Sequence, residues 1–147
     1  MILISHRGNL AGKNPSRENT KEYIQEAISA GFNVEIDVWF IDGMFCVGHD
    51  KPKQVISRKF LTENKDKLWC HAKNIPALNK MIELNLHCFW HESDRVTLTS
   101  KGYVWAHVGR QPIEKSIAVM PEIAKEDTSQ CIGVCSDEII YYARAKL

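Results

Sequence analysis

The sequence predicts a single α/β domain whose strands pair mainly in parallel. Short apolar β-type runs alternate along the chain with segments that have the apolar spacing of amphipathic helices, which is typical of strands and helices arranged around a parallel sheet. Polar residues, including most of the histidines, follow the apolar runs directly. No internal repeat, low-complexity tract or linker divides the 147 residues, so we interpret residues 1–147 as one domain.

The first half of the chain alternates strands and helices regularly. Gly31 ends the first helical segment, because glycine readily takes the left-handed conformation that closes a helix. Asp42-Gly43 separates two β-type runs and predicts a hairpin turn. The predicted elements of this half are strand Ile2–Ser5, a helix over 20–30, strand Val34–Ile41, strand Met44–Val47, a weak helix over 57–64 and strand Leu68–His71.

Helices become scarce in the second half of the chain. Asn74-Ile75-Pro76 opens a clear helix that runs to Asn85, since an asparagine cap followed by an early proline is a common helix start. Its predicted apolar face is Leu78, Met81 and Ile82, and Leu84 can extend it. Beyond it we predict strands over 87–90, 117–120 and 132–135, and a hairpin over 97–105 around Ser-Lys-Gly.

Composition excludes several classes of protein. The formal net charge is only +1, whereas proteins that bind nucleic acids or membrane surfaces broadly usually carry a strong basic excess. The sequence has no apolar run of about 18 residues, so we expect no membrane span. A cleavable signal peptide would have to include the first strand, and we therefore expect a cytoplasmic protein. The five cysteines form no CxxC pair, and we interpret them as buried free thiols.

Glu35 and Asp37 form the most informative pair in the sequence. They stand at i and i+2 in a β-type run, so both side chains project from the same face of the strand while Val34, Ile36 and Val38 cover the other. Two carboxylates on one face repel each other unless a cation lies between them. A divalent ion that prefers oxygen ligands, such as Mg²⁺ or Ca²⁺, is the simplest occupant.

Polar clusters recur where the predicted strands end. In parallel α/β sheets these carboxyl ends form the active-site edge, although polar residues begin at strand ends in any case. The clusters are His6-Arg7, His71-x-Lys73, His91-Glu92, His107 and Ser136-Asp137.

The first fifty residues contain five short polar motifs. In chain order they are His6-Arg7-Gly8, Glu18-Asn19-Thr20, Glu35-x-Asp37, Asp42-Gly43 and His49-Asp50. In this order and spacing they resemble the N-terminal half of the glycerophosphodiester phosphodiesterase family, which is related to the phosphatidylinositol-specific phospholipases C. The resemblance covers about the first half of the chain well and the rest weakly.

The resemblance implies a role for each matched residue. His6 and His49 would be the acid and base of phosphodiester cleavage, which suits imidazole because it titrates near neutral pH; the alternative is that they cap backbone groups where loops begin. Arg7 and Lys73 would bind the phosphate, for which the planar fork of a guanidinium is well shaped. Glu18 would hold Arg7 or contact the site, or else serve only as a charge at a helix start.

Two positions leave more than one interpretation open. The family usually has Glu-x-Lys at the end of the third strand, whereas this chain has His71-Ala72-Lys73. As a third metal ligand beside Glu35 and Asp37, His71 would shift the preference from Ca²⁺ toward Mg²⁺, Mn²⁺ or Zn²⁺; alternatively it binds no metal. Trp105 resembles the aromatic residue that lines the family's pocket, but it is equally compatible with a place in the core.

The family fold is a (β/α)₈ barrel, which typically needs about 250 residues. We therefore expect a reduced or incomplete TIM-type (β/α) barrel with helices missing in the C-terminal half, and dimerisation would cover any open sheet edge. The expected function is a metal-dependent phosphodiesterase, with magnesium as the first choice of cation, that cleaves a small soluble glycerophosphodiester or a sugar or polyol phosphodiester. The alternative is a non-catalytic protein that binds phosphate or a sugar phosphate on the same scaffold.

Overall fold

The computed structural model describes residues 1–145, which form ten strands and five helices. The strands are β1 (Ile2–His6), β2 (Asn33–Ile41), β3 (Met44–Val47), β4 (Gln54–Ile56), β5 (Leu68–Ala72), β6 (Cys88–Phe89), β7 (Val96–Leu98), β8 (Val104–Ala106), β9 (Ser116–Val119) and β10 (Gly133–Ser136). The helices are α1 (Lys21–Ser29), α2 (Arg58–Glu63), α3 (Ile75–Glu83), α4 (Pro121–Ala124) and α5 (Ile139–Arg144).

Side-chain caps fix where the first three helices begin. The oxygens of Thr20, Ser57 and Asn74 accept hydrogen bonds from backbone N–H groups three residues later, at 3.3, 3.0 and 3.0 Å. These bonds satisfy amides that would otherwise lack a partner in the first turn. The three helices lie where the sequence predicts them, within two residues at each end.

Seven of the strands run parallel, and they follow one another in cyclic chain order, with the first strand of the chain paired to the last. From one edge to the other the order is β6, β5, β2, β1, β10, β9 and β8. The sheet curls into an incomplete barrel, because its two outer parallel strands approach each other again. The N–H of Ser100 donates to the Cys88 carbonyl at 2.8 Å, and the rings of Phe89 and Trp105 lie 4.6 Å apart.

Antiparallel strands extend this sheet at two places. The predicted hairpin turn at Asp42-Gly43 joins β2 to β3, and β4 pairs with β3. The carbonyls of Glu35 and Asp37 both point to the same edge of β2, one bonded to Arg7 N–H and the other to Gly48 N–H. The end of β1 and the end of β3 therefore meet beside the acidic pair.

The two faces of the curled sheet carry different apolar layers. Inside, side chains from every parallel strand except β2 pack into one cluster, which is formed by Ile4, Trp69, Phe89, Trp105, Ile117, Val119 and Cys135. Outside, Val34, Ile36 and Val38 of β2 pack with α1, α2 and α3, while α5 packs against β1 and β10. Glu35 is aligned with Trp69 and Asp37 with His71, so the predicted division of β2 into an acidic face and an apolar face is confirmed.

The expected scarcity of helices in the second half is confirmed in part. No helix lies between α3 and α4 in the described chain, and β6, β8 and β9 are joined by the β7 hairpin and a loop. Strand β4 and the short helices α4 and α5 were not predicted, because runs of three to six residues do not display a full period. The prediction that Ile82 is buried was wrong: it is 57% exposed, and Ala77 and Met81 form the buried face instead.

Two further expectations concern the whole chain. All five cysteines are buried, and none forms a disulfide within residues 1–145, as predicted. Among the same residues, no helix has the length and apolar character that crossing a membrane requires.

Candidate functional site

A buried group of two carboxylates and one imidazole lies on the inner face of the sheet, within the first five residues of β2 and near the carboxyl end of β5. Glu35, Asp37 and His71 each offer one ligand atom, and these three atoms lie within 4.8 Å of one another. All three side chains are buried. Oε2 of Glu35 is also buried and has no hydrogen-bond partner anywhere in residues 1–145.

The two carboxylates differ in their surroundings. Burial and the neighbouring charge of Asp37 raise the pKa of Glu35, against the opposing pull of His6 and Arg7. Burial would also raise the pKa of Asp37, but the hydrogen bond from His71 and the charges of Arg7 and Lys73 hold it well below its usual range. Asp37 is therefore a firmly ionised carboxylate, whereas the charge of Glu35 is compensated only in part.

Asp37 is surrounded by donors from three parts of the chain. Asn19 donates to it at 2.8 Å and His71 at 3.1 Å. The Arg7 Nε atom lies 3.1 Å from the carboxylate and the Lys73 Nζ atom 3.7 Å. The structure therefore brings the two predicted phosphate-binding cations together beside the predicted metal ligands.

Glu18 and Asn9 connect Arg7 to Asp137 through an ion pair and two hydrogen bonds. Nη1 of Arg7 lies 3.4 Å from Glu18 Oε2, and the Asn9 amide donates to Glu18 at 2.9 Å and to Asp137 at 2.7 Å. Glu18 is buried and precedes the α1 cap at Thr20. Of its possible roles, the structure therefore shows the contact with Arg7.

His6 is paired with a carboxylate from the last strand. Its Nδ1 lies 2.7 Å from Asp137 Oδ1, and its Nε2 lies 3.8 Å from Glu35 Oε2. Burial lowers the pKa of His6, but the hydrogen bond to Asp137 and the charge of Glu35 outweigh it and raise the pKa overall. The bond to His6 also lowers the pKa of Asp137, against the effect of burial. The ionised carboxylate can only accept, so Nδ1 of His6 carries the proton of this bond.

His49 lies at the mouth of the site, on the loop that leaves β3. Its side chain is 42% exposed, and its Nδ1 lies 2.7 Å from Asp50 Oδ1. The loop is anchored by Gly48, whose N–H donates to the Asp37 carbonyl at 3.1 Å and whose carbonyl accepts from the Trp39 indole at 2.6 Å. With φ of 153°, a Cβ at Gly48 would collide with the Lys51 carbonyl.

Two connected cavities open at these residues. An outer cleft of about 740 Å³ is lined by the loops after β1 and β3, and an inner cavity of about 80 Å³ reaches Glu35 and His71. His6, Arg7 and His49 line both cavities. The outer volume is in the range of small-molecule sites, about 300–1,000 Å³.

The position of Trp105 agrees with both interpretations, a core residue and a residue that lines a cavity. It is 2% exposed and belongs to the inner apolar cluster, and it also lines the inner cavity with Phe89 and Val119. It is a core residue that forms part of the apolar wall beside the acidic group.

Several residues at the site were not selected from the sequence. Asp137 and His107 were noted only as polar residues at strand ends, and Asn9 gave no signal. His91 stacks on His71 with ring centroids 4.2 Å apart, and His107 Nε2 lies 3.1 Å from His91 Nε2. Burial lowers the pKa of His91 to about 3, with help from the charges of His71 and His107.

No protein-family model, no curated protein and no solved structure matches this chain. The resemblance to the glycerophosphodiester phosphodiesterases therefore rests on its short motifs and not on overall similarity. Chemically, the site combines a buried acidic group that suits a cation, two cations that suit an anion, and two histidines at the cavity mouth.

Proposed function

We propose that this protein is a metal-dependent phosphodiesterase that cleaves a small soluble phosphodiester, built on a reduced TIM-type (β/α) barrel. The observation that carries the proposal is the buried Oε2 of Glu35, which has no hydrogen-bond partner in the described residues and lies beside Asp37 and His71. An ionised oxygen in such a place is costly unless a cation binds it. The cation would then face two histidines and an arginine at the same cavity.

The donor set fits a divalent ion. Glu35 and Asp37 supply carboxylate oxygens and His71 an imidazole nitrogen, a mixture that suits Mg²⁺ or Mn²⁺ and also Zn²⁺. Mg²⁺ is the first choice because two of the three ligands are oxygens, with Mn²⁺, Zn²⁺ and Ca²⁺ as alternatives. When bound, the ion would neutralise the charge that builds up on the phosphoryl oxygens during cleavage.

Arg7 and Lys73 would bind and orient the phosphate. Their nitrogens are held beside the metal ligands by Asp37, at 3.1 and 3.7 Å. Glu18 keeps the Arg7 guanidinium from turning away from the cavity. Charged donors placed before the substrate arrives need little reorganisation when negative charge develops.

His6 and His49 would move the protons. The Asp137 carboxylate raises the pKa of His6 despite burial, so a protonated His6 is favoured and can donate its Nε2 proton to the leaving alcohol oxygen as the P–O bond breaks. His49 would accept the proton of the attacking hydroxyl as the new P–O bond forms. If that hydroxyl belongs to the substrate, as in glycerophosphodiesters, the first product is a cyclic phosphate and the second a free alcohol.

The arrangement of the sheet supports a barrel-type site. Parallel strands follow each other in cyclic chain order, as in (β/α) barrels, and the polar side chains extend from their carboxyl ends, where barrel enzymes place their catalytic groups. The outer cleft of about 740 Å³ suits an alcohol group about as large as glycerol or a sugar. Trp105 would form part of the apolar wall of the inner cavity, beside the acidic group.

Hydrolysis of a chromogenic phosphodiester, with and without added Mg²⁺ or Mn²⁺, tests this proposal. We expect turnover that depends on the metal, and we expect His6→Ala and His49→Ala to lower kcat by about 10²–10⁴-fold, the usual contribution of a general acid or base. Circular dichroism should show that both variants fold. Full activity in either folded variant would remove its acid or base role.

The non-catalytic alternative has one observation in its favour. Arg7 and Lys73 are held beside each other by their contacts with Asp37, and two such cations are what an anion site requires. A binding protein would show no turnover with any of these metals but clear thermal stabilisation by a sugar phosphate, lost in Arg7→Ala.

A further inference from the structure

The two outer parallel strands of the sheet meet at a seam. Among residues 1–145, β6 and β8 share no strand pairing. The seam is closed instead by the Ser100–Cys88 backbone bond, by side-chain hydrogen bonds of Thr97, Thr99 and Ser100 to the segment around β6, and by the contact between the tilted rings of Phe89 and Trp105. Strand β6 is only two residues long. This is therefore the place around the barrel where two neighbouring parallel strands share no backbone ladder in the described residues.

His91 and His107 face each other across this seam. His91 stands two residues beyond Phe89, and His107 two residues beyond Trp105, so they form the next layer above the two rings. Their Nε2 atoms lie 3.1 Å apart, with the ring planes inclined at 71°. Both side chains are half-buried.

We propose that His91 and His107 form a second metal site that is selective for a transition-metal ion such as Zn²⁺. The bound ion would link the end of β6 to the end of β8. Zn–N bonds are about 2.0–2.1 Å, so two nitrogens on one ion lie about 2.9 Å apart at a right angle and about 3.3 Å apart in a tetrahedron. The observed separation falls between these values. Imidazole pairs bind Zn²⁺, Ni²⁺ and Cu²⁺ well and Mg²⁺ poorly.

The surroundings leave space for the rest of the coordination sphere. The pair borders the inner cavity of about 80 Å³ on one side and a surface cavity of about 420 Å³ on the other. Water can therefore complete the coordination of an ion held by two nitrogens. Glu92, Asp94 and Arg95 line the surface cavity, and the two carboxylates outweigh the one guanidinium, which favours the arrival of a cation.

A direct N–H···N hydrogen bond between the two rings would have the same separation, about 2.7–3.2 Å, so the two explanations must be separated by experiment. Thermal unfolding of the full chain should be followed in excess Mg²⁺, with and without Zn²⁺. At a Zn²⁺ concentration of 100 times its Kd, the stability gain of about 2.7 kcal/mol corresponds to a rise in Tm of roughly 10 °C for a chain of this size.

The variants assign this shift to one site. Because Zn²⁺ could also bind at the acidic group, the His107 variants are made in the Glu35→Gln background, where His107→Ala and His107→Gln should lose the zinc-dependent rise in Tm and one equivalent of bound Zn²⁺ in chelator competition. Glu35→Gln, at the acidic group, and His87→Gln, which removes another buried imidazole, should keep both. His107→Gln decides the result if His107→Ala does not fold.

Three outcomes would overturn the proposal. The first is the absence of a zinc-dependent shift in the wild-type chain, which would leave the pair as a hydrogen bond only. The second is a shift that persists in the double variant Glu35→Gln/His107→Gln. The third is a shift that disappears in Glu35→Gln, which would place the zinc at the acidic group.

Discussion

Replacing Glu35 by glutamine should stabilise the protein without metal and remove its response to Mg²⁺. The ligand atoms of Glu35 and Asp37 lie within 4.8 Å of each other. At an effective dielectric constant of about 20, two unit charges at that separation repel by about 3.5 kcal/mol. Arg7, at 3.1 Å from Asp37, and His6, at 3.8 Å from Glu35, offset part of this repulsion.

We therefore expect Glu35→Gln to gain about 1–2 kcal/mol in the free energy of unfolding without metal, since a neutral amide is less costly to bury than a carboxylate. For a chain of this size that is a rise in Tm of about 4–8 °C. The comparison should be made in a chelating buffer near pH 8, where free carboxyls are ionised. Added Mg²⁺ at 100 times its Kd should then stabilise the wild type by about 2.7 kcal/mol and the variant not at all.

Differential scanning calorimetry with and without Mg²⁺ measures both effects, and the order of the two Tm values should reverse when the ion is added. Glu63→Gln is the matched control, because Glu63 is exposed and its Oε1 lies 3.6 Å from Lys59. This substitution should change the free energy of unfolding by no more than about 0.5 kcal/mol. A Glu35→Gln variant that is less stable than the wild type without metal, or that still responds to Mg²⁺, would show that Glu35 is not an unfavourable charge that binds a cation.

Two further predictions concern stability and the loop of His49. Gly48→Ala should lower the free energy of unfolding by about 1–3 kcal/mol, because the new Cβ meets the Lys51 carbonyl. It should also lower activity, because His49 is displaced. Gly43→Ala is the control: its added Cβ meets nothing within 4 Å in the described structure, so kcat should stay unchanged. Burial lowers the pKa of His87 from 6.5 to about 4, so its contribution to stability is present above pH 6.5 and lost as the pH falls toward 4. Acid titration of the unfolding free energy should show this loss, on the order of 2 kcal/mol after solvent screening, and His87→Gln should reduce it; an unchanged slope in that variant would contradict the assignment.

The acidic face of β2 is an example of structure that the sequence alone determines. The i, i+2 spacing of Glu35 and Asp37 determined that both side chains leave the strand together, and the apolar residues between them determined which face is covered by helices. The caps Thr20, Ser57 and Asn74 likewise marked the helix starts, because capping depends on residues only three positions apart.

The partners of these side chains were decided only by the tertiary structure. Asp137 bonds to His6 from 131 positions away, and His107 reaches His91 across the seam of the sheet. Local periodicity fixes the face and the strand end on which a side chain stands, because it depends on the geometry of a few residues. Which strand ends come together depends on the register, twist and curling of the whole sheet, and these arise from packing between segments that are distant in the chain.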